Sequence, residues 1–95
     1  EVVVVDAEPG LLGHGDQPGA DIALHLARHG VDVCVVSLHR HGRATGRVLL
    51  DHARDVRADL LVMGGFSHAR WRQQVFGGAT RTVLAQATLP VLFSH

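Results

Sequence analysis

Four short apolar runs recur along the chain, with polar or helix-like sequence between them. They are EVVVVD, centred on Val2 to Val5, VDVCVVSL over Val31–Leu38, LLVM over Leu60–Met63, and the final LPVLFSH. Continuous aliphatic and β-branched runs of this length are typical of strands buried on both faces, as in parallel sheets. The pattern therefore predicts four such strands.

Three segments between these runs have apolar residues at helical spacing instead. They extend from about Pro18 to His29, from Arg43 to Val56 and from Gly77 to Ala87. Each has an apolar stripe and a polar stripe, as amphipathic helices do. The residues predicted to face inward are Ile22, Ala23, Leu26 and Ala27 in the first, Val48, Leu49, Ala53 and Val56 in the second, and Ala79, Val83, Leu84 and Ala87 in the third.

The resulting order, β-α-β-α-β-α-β with short loops, predicts an α/β fold with a parallel sheet flanked by helices. Ligands of such folds bind beyond the carboxyl ends of the strands. In this chain those ends are Asp6, Leu38–His39 and Met63–Gly64. We therefore look for a binding site at these positions.

Composition limits the classes of function. The 95 residues are 46% hydrophobic and carry a formal net charge of zero, which fits one small globular domain, residues 1–95. Every basic residue is Arg and no like-charge run is present, so we expect no nucleic-acid partner. No apolar run approaches the roughly 18 residues that a membrane span needs. We expect a cytoplasmic protein without a membrane partner.

The single cysteine and the first residue add two expectations. Cys34 lies inside an apolar run and is predicted to be a small core residue rather than a nucleophile. One cysteine cannot form a disulfide within the chain, which fits a reducing compartment. The chain begins with Glu1 in strand-like sequence and not with Met, so we expect it to be part of a longer protein.

Two glycine pairs near the C-terminal end are the main candidates for binding chemistry. Gly64-Gly65 follows an apolar strand, and Gly77-Gly78 opens a predicted helix. Glycine amides and the unpaired N–H groups at a helix N-terminus are the usual components of a phosphate cradle. Glycine at the ends of strands and helices also serves plain turns, so both interpretations stay open from the residues alone.

The same stretch resembles the C-terminal signature of the universal stress protein family. That signature is a strand, then G-x2-G-x9-G-[ST], a helix and a short final strand. Here its spacing falls on Gly64, Ser67, Gly77 and Gly78, followed by Thr80 and by LPVL. The resemblance covers the chain from its first strand to its end, and it implies the adenine nucleotide alpha hydrolase-like fold.

The resemblance also implies a nucleotide ligand, such as ATP. Phosphates would bind at the glycine signature and the base side would lie near the second family strand. The residues that match these positions are Val4, Met63, Gly64, Ser67, Gly77, Gly78, Ala79 and Thr80.

Two positions depart from the signature. Ser67 stands where the family has its second Gly, and its Cβ restricts the approach of a phosphate. Gly78 replaces a Ser or Thr, so it keeps the amide and loses a hydroxyl. Nearby His68, Arg70 and Arg72 offer donor or positive groups instead. The stretch is more similar to a family variant that reads roughly GYGHSR…FGG.

The number of strands departs from the family as well. Only one strand separates EVVVVD from the signature strand, so EVVVVD matches the second family strand, and the fold is incomplete at its N-terminus. Since the family sheet runs in the order 3-2-1-4-5, loss of strand 1 predicts two half-sheets with open edges. We expect the same natural protein or another chain to supply that strand.

The family resemblance further implies partners. Many members carry two such domains in tandem, and this chain resembles the second of a pair. Final strands pair between domains or subunits in the family. Val91 to Phe93 would do so here, with a second universal stress protein domain or with another copy in a homodimer.

Several histidines and one Trp form weaker candidates. His25 and His29 stand at i, i+4, a spacing able to hold a metal, although a solvated helix face is the expected role. Solvated loops are likewise expected for His14, His39 and His41. His52 lies on the apolar side of its helix and is expected to be partly buried. Trp71 is expected to pack over the sheet edge rather than to stack on a base.

Three functions follow, in order of preference. The first is a nucleotide-binding module for stress adaptation. The second is a pairing or scaffold domain whose altered signature has lost ATP, and a metal enzyme at the histidines is a distant third. No Ser-His-Asp, Cys-His or paired-acid arrangement can be argued from the sequence, so we expect the chain not to be an enzyme.

Overall fold

A computed structural model describes residues 1–6, 19–64 and 78–94 of the chain. Within these residues strands and helices alternate, as the sequence predicts. The elements are β1 (Val2–Val5), α1 (Ala20–Arg28), β2 (Val35–Leu38), α2 (Thr45–Asp55), β3 (Leu61–Gly64), α3 (Gly78–Gln86) and β4 (Val91–Ser94).

The described strands form two separate two-stranded sheets, both parallel. β1 pairs with β2 in register from Val2–Val35, and β3 pairs with β4 in register from Leu61–Val91. The chain divides accordingly into two compact units, unit 1 (Glu1–His41) and unit 2 (Gly42–His95). The prediction of two half-sheets is confirmed, and each unit is described by itself below.

In unit 1 the chain enters α1 close against the β1–β2 sheet. Gly19 adopts a φ of +88°, and a Cβ placed on it would lie 2.9 Å from the Val35 side chain and 3.3 Å from Val4. Only a glycine combines this left-handed conformation with such a close approach. No residue of α1 is buried, so α1 covers its sheet only partly.

In unit 2 the two helices α2 and α3 pack against each other. Gly46 of α2 permits their close approach, because a Cβ there would lie 2.5 Å from Cβ of Thr82 and 2.9 Å from the Ala79 carbonyl oxygen. Around this contact lie all the described residues that are buried. They are Gly46, Val48, Leu50, Ala53, Thr80 and Val83.

The strands differ from their prediction in length and burial. β2 begins at Val35, so Cys34 lies outside it and is exposed. The prediction of a buried Cys34 is wrong: its carbonyl accepts a 2.7 Å hydrogen bond from the Val2 N–H, but its side chain is not covered. β3 and β4 alternate between half-buried and exposed positions. Val62 and Leu92 are thus 58% and 57% exposed, because they lie on the more exposed face of this sheet.

Four predicted inward positions are also exposed, namely Ile22 and Ala27 of α1, Val56 and Leu84. Val56 follows the last residue of α2, and Leu84 lies on α3 with 60% of its surface accessible.

The described helices include none that is long and apolar enough to cross a membrane.

Candidate functional site

The carboxyl end of the β1–β2 sheet carries a cluster of polar side chains. Asp6 follows β1 with a φ of 49°, and its N–H donates to the Leu38 carbonyl across the sheet at 2.9 Å. The Arg40 backbone N–H donates to Asp6 Oδ1 at 3.2 Å, and Arg40 Nε donates to Oδ2 at 2.8 Å. Both oxygens of one carboxylate are therefore held by one residue from the end of the neighbouring strand.

This arrangement affects the ionisation of Asp6. The hydrogen bonds from the Arg40 side chain and backbone hold the pKa of Asp6 below its ordinary value, because they favour the charged carboxylate. His39 adds a third contact, with Nδ1 at 3.5 Å from Asp6 Oδ1. The rings of His39 and His41 lie 5.8 Å apart. The position of Asp6 at a strand end was predicted from the sequence, but its pairing with Arg40 was not. The only signal for this pairing was an acidic residue and a basic loop at adjacent strand ends.

At the carboxyl end of the β3–β4 sheet, Gly64 is the last residue of β3 and pairs with Ser94. A Cβ at Gly64 would lie 3.6 Å from the Ser94 carbonyl oxygen, which is an ordinary contact. Gly78, the first residue of α3, has no atom of the described residues within 4 Å of the same position. Neither residue is among the described glycines with a positive φ, so neither backbone conformation nor packing within the described part of the chain requires glycine at these two positions.

The other described glycines have structural explanations. Gly19, Gly30 and Gly42 adopt positive φ values, and Gly46 lies at the helix contact. Of the six described glycines, only the two in the family-like signature lack such a reason. Close approach of a ligand to the backbone is another use of glycine.

The N-terminus of α3 presents the next candidate groups. The first N–H groups of a helix have no partner within the helix and carry the positive end of its dipole. Ala79 is half-buried, whereas Thr80 is only 4% exposed and belongs to the core of unit 2. The Thr80 side chain is thus directed to the interior.

The remaining predicted site residues are placed as follows. Val4 is half-buried in β1 opposite Ser37, and Met63 is half-buried in β3 opposite Phe93. Ser67 and Gly77 lie outside the described residues. The same applies to Gly65, His14, His68, Arg70, Trp71 and Arg72.

The histidine pair of α1 is close but forms no larger cluster. The rings of His25 and His29 have centroids 4.8 Å apart. In the described part of the chain, no three His, Cys, Asp or Glu residues are grouped so that they could hold a metal ion. His52 is half-buried on α2, as its place on the apolar stripe predicts.

The match to known families agrees with this geometry. A model of the universal stress protein family matches residues 3–95 of the chain. Searches of curated proteins and of solved structures found no match. The family has an α/β adenine nucleotide alpha hydrolase-like fold, and the described parallel strands and flanking helices fit it. The order of the elements, the two half-sheets and the family match lead to one conclusion: this chain belongs to the universal stress protein family.

Proposed function

We propose that the chain is a nucleotide-binding module of the universal stress protein type and that its ligand is ATP. The phosphates bind at Gly64, Ser67, Gly77 and Gly78, and the base lies on the side of Val4 and Met63. One observation carries the proposal. Gly64 and Gly78, both in the signature, lack the structural need for glycine that explains the other described glycines.

The chemistry of these positions supports a phosphate ligand. Gly64 ends a parallel strand, where α/β folds bind ligands, and it has no side chain to block the approach of a phosphate to its backbone. Gly78 begins α3, and the first amides of a helix attract anions. Since Thr80 is buried, we assign no phosphate contact to its hydroxyl.

The module acts by binding rather than by turnover. No catalytic group is assigned, and the role in stress adaptation follows from family membership. We further propose a cytoplasmic location and a tandem or dimeric assembly. These proposals extend the family match and are tested separately from ATP binding.

The first experiment compares two substitutions of one residue by calorimetric titration of the protein with ATP. Gly78→Pro removes one N–H, and a helix tolerates proline in its first turn. Gly78→Ala keeps the N–H and adds a methyl group in open space. We expect roughly tenfold weaker ATP binding for Gly78→Pro, the size of one lost hydrogen bond to a charged group. Gly78→Ala is expected to weaken binding less, because its methyl group hinders close approach to the backbone but leaves the N–H in place.

Thermal unfolding of both variants checks that α3 is intact. The proposal fails if the unsubstituted protein does not bind ATP at millimolar concentration, or if the two variants bind it equally well. In that case the glycine pairs serve turns only.

The second candidate is a pairing or scaffold domain. It is favoured by β4, whose only described neighbour is β3 and whose Leu92 is 57% exposed. An open strand edge with apolar side chains is a site for pairing with another strand. We expect Leu92→Glu to shift the protein towards the monomer in sedimentation measurements, with Ser94→Ala as the control. If the unsubstituted protein is already a monomer, pairing of β4 between two copies of this chain is excluded.

A further inference from the structure

Unit 2 contains a cavity of about 460 Å³ at the end of its sheet away from Gly64. Its lining residues come from α2, the turn after it, the end of α3 and the segment before β4. Arg57 precedes β3 and Thr88 precedes β4, whereas Gly64 is the last residue of β3. The cavity therefore lies at the amino ends of these strands and is separate from the glycine signature.

The lining is cationic. Arg47, Arg54 and Arg57 contribute three guanidinium groups, and the described lining residues include no carboxylate. Gln86 and Thr88 add neutral polar groups. A volume of this size is in the range of small-molecule sites, which extends over about 300–1,000 Å³.

One nearby carboxylate compensates only part of this charge. Asp51 accepts from Arg43 at 2.8 Å and is paired with Arg47 at 3.0 Å, while Arg54 Nη2 lies 3.7 Å from it. Arg47 also donates to the Gln86 side-chain oxygen. One negative charge is thus shared by three arginines, and it fixes the side chain of Arg47 at the cavity.

Arg57 is the least compensated of the three lining arginines. No described carboxylate lies within ion-pair distance of it, and its side chain is exposed. Its backbone has a φ of 57°, directly after the C-cap residue of α2, and the Ala58 N–H donates to the Ala53 carbonyl at 2.9 Å. This is the helix-ending geometry in which glycine is preferred, so a long cation occupies a position that the backbone would favour for glycine.

We infer that this cavity is a second anion site and that it takes a small molecule bearing phosphate groups, of the diphosphate class. Arg54 and Arg57 bind its phosphate oxygens. Arg47 lines the cavity with them, and its side chain is oriented by Asp51 and Gln86. Guanidinium groups suit phosphates because their planar N–H groups match two oxygens at once. The site is independent of the proposed ATP site and does not rest on it.

A purely structural role for these arginines is the alternative. The C-terminus of α2 carries the negative end of the helix dipole, which stabilises a nearby cation such as Arg54. That role predicts that loss of an arginine lowers stability, whereas a ligand role predicts loss of binding. Arg57 separates the two, because glycine suits its backbone conformation better than arginine does.

The test is calorimetric titration of the protein with inorganic pyrophosphate at moderate salt. We expect Arg57→Gly and Arg54→Gln each to weaken binding by roughly tenfold, as for loss of a charge-assisted hydrogen bond. The thermal midpoint of Arg57→Gly is expected to stay the same or rise, which excludes unfolding as the cause. Arg28→Gln on α1 is the charge-matched control and is expected to bind as the unsubstituted protein does.

Three results would overturn the inference. The first is no binding of pyrophosphate at millimolar concentration. The second is an equal affinity for Arg57→Gly and Arg28→Gln. The third is loss of pyrophosphate binding in Gly78→Pro with none in Arg57→Gly, which would place the anion at the glycine signature and support the proposed ATP site instead.

Discussion

Units 1 and 2 have the same kind of sheet and differ in what covers it. Each contains two parallel strands of four residues. Unit 2 has two helices in contact across Gly46 and buries Val48, Leu50, Ala53 and Val83. In the described part of unit 1 there is one helix and no buried residue.

The difference shows where stability comes from in a small α/β unit. A two-stranded sheet alone is marginal in water, and it needs packing against further elements. In unit 2 the second helix closes a core, since α3 covers residues that α2 alone would leave in solvent. In unit 1 the described contact at the ends of the strands is polar. It is the hydrogen bond between Arg40 and Asp6.

The largest expected effect is the loss of a core side chain from unit 2. Val83 is 0% exposed. Val83→Ala removes two buried methyl groups and is expected to lower the free energy of unfolding by about 2–3 kcal/mol. Chemical denaturation followed by circular dichroism measures it.

The matched change in unit 1 is Val35→Ala, where the side chain is 41% exposed. We expect it to lower the free energy of unfolding by less than about 1 kcal/mol. Equal effects of the two substitutions would contradict the difference in burial between the units.

The second prediction concerns the helix contact itself. Gly46→Ala places a Cβ 2.9 Å from the Ala79 carbonyl oxygen, so α2 and α3 must separate. Overpacking of this kind costs about 1–3 kcal/mol, and the better helix propensity of Ala returns up to about 1 kcal/mol. The net loss of stability is expected to be about 1–2 kcal/mol by denaturant unfolding.

Gly78→Ala is its control, because it makes the same change at a helix position with open space around it. We expect its free energy of unfolding to be unchanged or raised by less than about 1 kcal/mol. If both substitutions destabilise alike, the close approach at Gly46 is not what organises unit 2.

The third prediction compares two of the described non-glycine residues that have a left-handed backbone, Arg57 and Asp6, with φ values of 57° and 49°. Arg57→Gly relieves an unfavourable backbone conformation and is expected to raise stability by about 1 kcal/mol. Asp6→Gly relieves the same conformation but removes both contacts with Arg40, so we expect no gain. Thermal unfolding measures both variants, and a gain in Asp6→Gly would show that the polar contacts of unit 1 contribute nothing.

The smallest effect is the pH dependence of Asp6. Its pKa lies below the ordinary value of 3.8, chiefly because of the Arg40 hydrogen bonds. A lowered pKa means that the contribution to stability is present above the ordinary value and is lost as the pH falls through the lowered one. NMR titration of the Asp6 carboxyl carbon measures this. Arg40→Gln is expected to return the pKa towards its ordinary value, and an unchanged pKa in that variant would show that Arg40 is not the cause.

The number, order and type of the elements could be predicted from the sequence, because each depends on local periodicity. β1 has the predicted bounds, and the predicted helices contain α1, α2 and α3 with their ends shortened by one or two residues. The two half-sheets followed from the family resemblance and the count of strands. The glycine signature was also visible, since it is a spacing along the chain.

Burial and pairing could not be predicted in the same way. Leu84 fits the inward stripe of α3 and is exposed, while Gly46 of α2 is buried and was not predicted to be. An amphipathic pattern shows that a helix has an apolar side, but the position of its neighbour decides which of those residues are covered. Cys34 is exposed for a related reason, because an apolar run of eight residues forms a strand of only four here.

The sequence by itself thus determined the alternating architecture, the family and the place of the glycine signature. Tertiary structure decided which glycines have a packing role and placed the Thr80 side chain in the core. It also decided that arginines from α2 and from the turn after it line one cavity together with Gln86 of α3. The physical reason is the range of the interactions. Periodicity and spacing are patterns of residues that are close in the chain. The features decided by tertiary structure depend on contacts between residues far apart in the chain, such as Arg47 and Gln86, for which |i−j| = 39.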